Sequence, residues 1–149
     1  MENALFGAGC FWGVEEFFRK NKGVIETKVG YSGGITNNPS YEEVCLGNTN
    51  HVEVLLIKFD ENIINYSKLL DLFWQCHDPT TLNRQGPDIG TQYRSVIFYY
   101  SNLQKETAEK SKLNYQSKFN GKIVTEIEKA KEFFEAEDYH QCYIQKRSI

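Results

Sequence analysis

Ala4-Leu5-Phe6-Gly7-Ala8-Gly9-Cys10-Phe11-Trp12-Gly13 runs from a short apolar stretch through two glycines to a cysteine and two large aromatics, and the amphipathic segment Val14–Lys20 follows. That order predicts a strand, a tight turn and a helix, with Cys10 at the helix N-terminus. Unpaired N–H groups and the positive end of the helix dipole favour thiolate over thiol there. The glycines allow close approach to the sulfur, and Phe11 and Trp12 put aromatic surface beside it. A low-pKa thiolate next to an aromatic patch suits attack on a small substrate with an apolar end. A dinucleotide loop is excluded: G-x-G-x-x-G starting at Gly7 needs glycine at position 12, which is Trp12. A lone cysteine is more often a small buried hydrophobe, and two aromatics are equally at home in a core, so the local pattern alone leaves both readings open.

Outward from this stretch, strand one covers about residues 2–7 and helix one about 11–20, stopped by Asn21-Lys22-Gly23. Residues 24–31 read as a strand ended by Ser32-Gly33-Gly34. A long polar connection over 35–50 holds a helical turn at Tyr41-Glu42-Glu43-Val44. Residues 51–59 form the clearest strand: Val52, Val54 and Leu56 face one way, and Glu53, Leu55, Ile57 and Phe59 the other. Tyr66, Leu69, Leu70, Phe73 and Trp74 have the spacing of an amphipathic helix. A second long loop covers 78–93, a strand 94–100 and a helix about 102–119 opened by Ser101-x-x-Gln104. A short edge strand is expected at 123–127, and a short helix or irregular tail at 136–146. Strand, helix, strand, strand, helix, strand is the order of an α+β, ferredoxin-like split βαβ plait: an antiparallel sheet with helices on one face and long functional loops. Crossover handedness puts the first strand centrally, so the end that carries Cys10 lies mid-sheet.

The chain has 149 residues, 40% hydrophobic and 25% charged, which fits one soluble domain over 1–149. A net charge of −3 gives no reason to expect nucleic acid or an anionic membrane. No signal peptide or membrane-length apolar run is visible. The four cysteines, 10, 45, 76 and 142, lack zinc-type spacing, so neither a metal nor any other cofactor is expected. Reactive thiols without a secretory context point to a reducing cytoplasm, and a monomer is expected.

Attack by a thiolate on a small oxidised substrate with an apolar end needs the thiolate itself, a proton or strong hydrogen bond for a departing oxygen, and an apolar slot for the substrate's end. Cys10 meets the first need, and Phe11 with Trp12 the third. Glu53, on a strand face whose other members are apolar, is the candidate acid, since desolvation raises a carboxyl pKa. The alternative is an edge-strand glutamate in water. Tyr41 and Tyr93, in the long loops, could donate to the oxygen, and Asp88 is either a site residue or a turn former.

Gly9-Cys10-Phe11-Trp12-Gly13 resembles the active-site signature of the A-type peptide methionine sulfoxide reductases. Further blocks follow in family order: Gly30-Tyr31-Ser32-Gly33-Gly34, Tyr41-Glu42-Glu43-Val44-Cys45, His51-Val52-Glu53, His77-Asp78-Pro79-Thr80, Arg84-Gln85-Gly86 through Asp88 to Ser95, and Ala136-Glu137-Asp138-Tyr139-His140-Gln141. The resemblance implies Cys10 as nucleophile, Glu53 as acid assisted by Tyr41 and Tyr93, Phe11 and Trp12 as the methyl pocket, and Asp88 as a residue that contacts the substrate backbone or fixes the site. It also implies a ferredoxin-like fold and reduction of methionine-S-sulfoxide, free or in peptides. The reaction would pass through a Cys10 sulfenic acid, reduced in the end by thioredoxin or by a glutaredoxin or small-thiol partner.

Two positions depart from the family pattern: Asn50 replaces the usual glycine before His51, and Val52 the usual alanine, so a slightly reshaped pocket is expected. Many members carry a resolving cysteine in a C-terminal extension. The sequence ends at Ile149, seven residues after Cys142, which makes Cys142, in an expectedly mobile terminal segment, the resolving candidate. Cys45, in the Tyr41 block and able to lie close in space, is a second candidate that reads more as a packed residue; Cys76, at a helix end, reads as structural, and His51 and His140 as structural or supporting. A thiol peroxidase, or a module that only binds methionine-containing peptides, are the competing readings. The paired aromatics argue against the first, and the second predicts binding that survives Cys10→Ser.

Overall fold

A computed structural model describes residues 1–147. In chain order the elements are β1 (Glu2–Ala8), α1 (Phe11–Arg19), β2 (Val24–Ser32), α2 (Tyr41–Cys45), β3 (Val52–Phe59), α3 (Tyr66–Cys76), β4 (Arg84–Gln85), β5 (Asp88–Ile89), β6 (Ser95–Tyr99), α4 (Asn102–Gln116), β7 (Glu126–Lys129), β8 (Phe134–Glu135) and α5 (Tyr143–Arg147). Six strands form one sheet in the order β7-β6-β1-β3-β2-β8, and β4 and β5 form a small separate hairpin. β1 lies inside the sheet, antiparallel to both β3 and β6, as crossover handedness requires.

The sheet is not purely antiparallel, as the sequence had suggested. β7 pairs in parallel with β6, with Val96 opposite Glu126. The edge strand also starts later than expected, because Ile123 is buried and the Val124 amide donates to the Pro79 carbonyl instead of to a ladder. The two-residue strand β8 was not foreseen; it caps the other edge, pairing with Gly30 and Tyr31.

The alternation read in β3 sorts the two faces. Leu55, Ile57 and Phe59 join Ala4, Phe6 and Ala8 of β1 in a core that also holds Phe11, Val14 and Phe18 of α1, Leu69, Leu70 and Phe73 of α3, and Ala108 of α4. Each fully buried Leu or Phe there contributes about 1.5–3 kcal/mol. Val52 and Val54 belong to the opposite face, with Leu5, Val96 and Phe98, where coil residues Ala130 and Phe133 cover the sheet in place of helices. Helix starts follow their caps: the Asn65 side chain accepts from the Lys68 amide at 2.8 Å, and the Ser101 hydroxyl from Gln104.

Both departures from the family pattern have a physical reading. Asn50 has φ 61°, a left-handed conformation that glycine adopts freely and asparagine tolerates. Val52 points away from Glu53, toward Gly7, so it reshapes the packing behind the sheet and not the pocket. A Cβ on Gly7 would lie 2.7 Å from Val52 Cγ1 and 2.8 Å from Val96 Cγ1. Gly7→Ala is therefore expected to cost about 1–3 kcal/mol in urea unfolding. Adding Val52→Ala should recover part of that loss, whereas an unchanged unfolding midpoint for Gly7→Ala would contradict this packing.

Candidate active site

Two glycine positions bring the end of β1 into the site. Gly7 lets Val52 and Val96 close over the strand, and Gly9, at φ 97°, turns the chain into α1 with the Gln85 side chain packed against it. Cys10 is the residue before α1, half-buried, with no side-chain capping bond. The Phe11 amide, the first of the helix, donates to Glu53 Oε1 at 3.2 Å. A carboxyl of β3 thus takes one of the unpaired helix-start N–H groups.

Glu53 is 1% exposed, and its Oε2 is buried without a partner. Burial raises its pKa to about 8; Asp88 adds to the rise, and the Phe11 N–H opposes it. At neutral pH the carboxyl therefore holds its proton, as a general acid must. The edge-strand alternative fails because β3 sits between β1 and β2.

Cys10 departs from the expected low-pKa thiolate. The Trp12 and Gly13 amides do pull it down, but burial outweighs them, and with the charges of Glu53 and Asp88 it pushes the thiol up to about 11. Helix-start chemistry was legible in the sequence, whereas desolvation and two facing carboxylates are tertiary facts.

Tyr41 opens α2, and its amide donates to Glu137 Oε2 at 3.1 Å. Burial, first among several causes, holds its phenol well above the usual range. Tyr93 ends a short 3₁₀ turn, Thr91–Tyr93. Burial pushes its pKa up to about 12, reinforced by the charges of Glu53, Cys45, Asp88 and Cys10. Both tyrosines are thus kept as donors. Asp88 reaches the site on the β4–β5 hairpin, opposite Gln85, whose side chain bridges Gly9 and the backbone of Asp78. Arg94 ties this region to β3, donating to the Thr91 carbonyl at 2.9 Å and the Asn50 carbonyl at 3.1 Å.

Phe11 is 1% exposed and packs between Tyr31 and His140, so its ring forms floor more than wall. Trp12 is half-buried; it stacks on Tyr143 at 3.9 Å and donates from Nε1 to His140 Nδ1 at 2.9 Å. His140, buried and with its pKa lowered mainly by desolvation, lies under Tyr41 at 4.6 Å between ring centroids. Glu137 accepts from the Tyr31 hydroxyl and the Tyr41 amide. The segment 136–147 is thus a strap that orders both pocket walls. Its sequence block was quoted above without a role for Glu137, and Tyr143 lies just beyond that block.

Cys142 is tied to α1 and β2. Its amide donates to Glu15 Oε1 at 2.7 Å, its sulfur lies 3.8 Å from Glu15 Oε2, and the Gln141 side chain pairs with both the amide and the carbonyl of Val29. Glu15, 1% exposed and also bonded by Thr27, was an unnoticed polar anchor in an apolar helix face. Cys45 is exposed, not packed, and Cys76 donates to the Phe73 carbonyl. Among the described residues no three His, Cys, Asp or Glu side chains converge to hold a metal ion, and no helix is long and apolar enough to cross a membrane.

A family model described as peptide methionine sulfoxide reductase matches residues 2–149. Peptide methionine sulfoxide reductase MsrA of Methanothermobacter thermautotrophicus is 58% identical over 147 residues, covering 97% of this chain and 87% of that one. The reduced form of Mxr1 from Saccharomyces cerevisiae superposes with a TM-score of 0.95 at 40% identity, covering 99% of this chain and 86% of that one. Mxr1 in complex with Trx2 aligns with a TM-score of 0.69 at 28% identity, covering 95% and 84%. A family model spanning residues 2–149 and a relative 58% identical over nearly the whole chain show that the chain belongs to the peptide methionine sulfoxide reductase family.

Proposed function

We propose that this chain is one catalytic domain of ferredoxin-like kind, acting as a monomer in the cytoplasm, that reduces methionine-S-sulfoxide, free or in peptides, to methionine. The four-strand run β6-β1-β3-β2, antiparallel throughout, supports the plait, with β7 and β8 as additions at its edges. Four free thiols fit a reducing compartment.

One observation carries the reaction: a buried carboxyl with an unpartnered Oε2 beside the Cys10 thiol, its pKa raised by burial to about 8. The sulfoxide oxygen is the acceptor this group lacks. Glu53 gives its proton to that oxygen, with Tyr41 and Tyr93 donating alongside. Now ionised, Glu53 takes the Cys10 proton, and the thiolate attacks sulfur. A thiol near 11 in the resting site is thus activated only when substrate has taken the Glu53 proton. The oxygen passes to Cys10 as methionine leaves, so the products are methionine and a Cys10 sulfenic acid. Phe11 and Trp12 receive the S-methyl group, and Asp88 contacts the substrate backbone. A second thiol then condenses with the sulfenic acid. Cys142 fills that role if the strap lifts off Glu15. A dithiol of the thioredoxin class, or a glutaredoxin or small thiol, restores the enzyme; the yeast relative's complex with Trx2 favours the first.

Cys10→Ser should form no methionine. Glu53→Gln should lower the rate by a hundredfold or more, on the order of a general-acid contribution. The gap should be widest at low pH and narrow as pH rises through about 8, where the wild-type carboxyl gives up its proton. Wild-type rates for Glu53→Gln across that range would remove Glu53 from the mechanism.

Stability gives a second reading of the same group. Its pKa rises from 4.5 to about 8 on folding, so between those values the native chain holds a proton that the unfolded chain has lost. Native stability then falls as pH rises across that window. Glu53→Gln should gain on wild type in urea unfolding from pH about 5 to about 8 and level off above. A pH-independent difference would mean that the carboxyl is ionised throughout.

A further inference from the structure

We propose that Gln85 is a positioning residue for the reaction, holding the β4–β5 hairpin so that Asp88 is turned toward the strand end that carries Cys10; this rests on the reading above of Asp88 as the substrate-backbone contact. The hairpin needs a support of this kind. Its strands have two residues each and form a sheet separate from the main one. An isolated two-stranded hairpin is marginal in water. Apolar burial does not hold it, since Leu82 and Ile89 are 71% and 74% exposed.

The register orients the hairpin. Gln85 and Asp88 are direct ladder partners, as are Arg84 and Ile89, and side chains directly opposite one another share a face. Arg84 and Ile89 are exposed, whereas Gln85 and Asp88 are half-buried. The face that Gln85 turns inward is therefore the face that presents Asp88. Inward lies Gly9, the residue before Cys10: a Cβ on Gly9 would sit 2.7 Å from Gln85 Cγ and 2.9 Å from Gln85 Cβ. The Gln85 stem thus fills the space beside the turn that leads into α1.

The amide end of the same side chain grips the base of the loop. Gln85 Oε1 accepts from the Asp78 amide at 3.1 Å, and Nε2 donates to the Asp78 carbonyl, so one donor and one acceptor hold one residue. Asp78 is a firm point. His77, just before it, is 2.8 Å from the Phe73 carbonyl at Nδ1 and 2.7 Å from the Ser95 hydroxyl at Nε2. A carbonyl only accepts, which puts the ring proton on Nδ1 and leaves Nε2 to accept from Ser95. Ser95 in turn pairs with Ala8 of β1. Both ends of the 78–93 loop are thereby pinned to the sheet, and Gln85 ties the hairpin to that base and to Gly9. The Gly90–Asn83 and Thr81–Arg84 bonds lie within the loop, so they set its shape and not its place.

Steady-state kinetics with N-acetyl-methionine-S-sulfoxide methylamide, reduced by dithiothreitol, test this. Gln85→Met keeps the stem over Gly9 and loses both bonds to Asp78; Gln85→Asn keeps the amide but falls one methylene short. Each should raise KM by about fivefold with kcat within about twofold of wild type, because the contact weakened is made in the ground and transition states alike. Asp88→Ala should raise KM at least as much. Adding Gln85→Met to Asp88→Ala should raise it no further, since one residue acts through the other. A wild-type KM in either Gln85 variant, a loss confined to kcat, or a double variant whose KM rise is the product of the two single effects overturns this inference alone. An unchanged KM in Asp88→Ala overturns the reading of Asp88 and this inference with it.

Discussion

The hydrogen bond from the first amide of α1 to a carboxyl buried in β3 is the contact around which the site is arranged. It fixes Glu53 at 3.2 Å from the Phe11 nitrogen and so beside Cys10, one residue earlier. It uses only one carboxyl oxygen and leaves Oε2 to the pocket. Burial without a counter-cation makes the neutral carboxyl the resting form. From that one constraint follows the need for substrate to set the proton transfers in motion, while burial of their own groups raises Cys10 and keeps both tyrosines as donors.

The surrounding structure keeps this pair dry and oriented. β1 and β3 are neighbours with fixed register, Phe6 opposite Leu55, so the ends carrying Cys10 and Glu53 cannot slip relative to one another without turning core residues outward. The strap 136–147 supplies what the sheet does not. Glu137 ties Tyr31 to Tyr41, and His140 and Tyr143 hold the Trp12 ring from two sides. The pocket is thus built by a strand end, a helix start, two loops and a distant segment of the chain.

What the sequence disclosed and what it withheld divide along the same line. Local patterns placed α1, β3 and α3 and put Glu53 on the helix-covered face, because alternation and helix period are local. They did not show that this face is sealed, since Gln141 reaches Val29 and Glu137 reaches Tyr41 across most of the chain. They gave Cys10 its helix-start amides but not the desolvation that outweighs them. β8 is too short to leave a pattern, and the parallel β7 carries only Ile127 as an apolar cue. Cys45, read as packed, ends a one-turn helix whose exposure depends on how α2 lies on the strap. Glu15 stood in an apolar helical stripe as an unexplained carboxylate, a signal that was present and unused.

The central claim is that Glu53 is neutral at physiological pH in the substrate-free enzyme. Infrared difference spectra of wild type against Glu53→Gln, taken across a pH series, report it directly. A protonated carboxyl stretch present at neutral pH, absent in the variant, and replaced by carboxylate bands with a midpoint near 8 is the predicted result. Carboxylate bands for Glu53 already complete at pH about 6 would contradict it, since the residue would then have lost the proton the reaction requires.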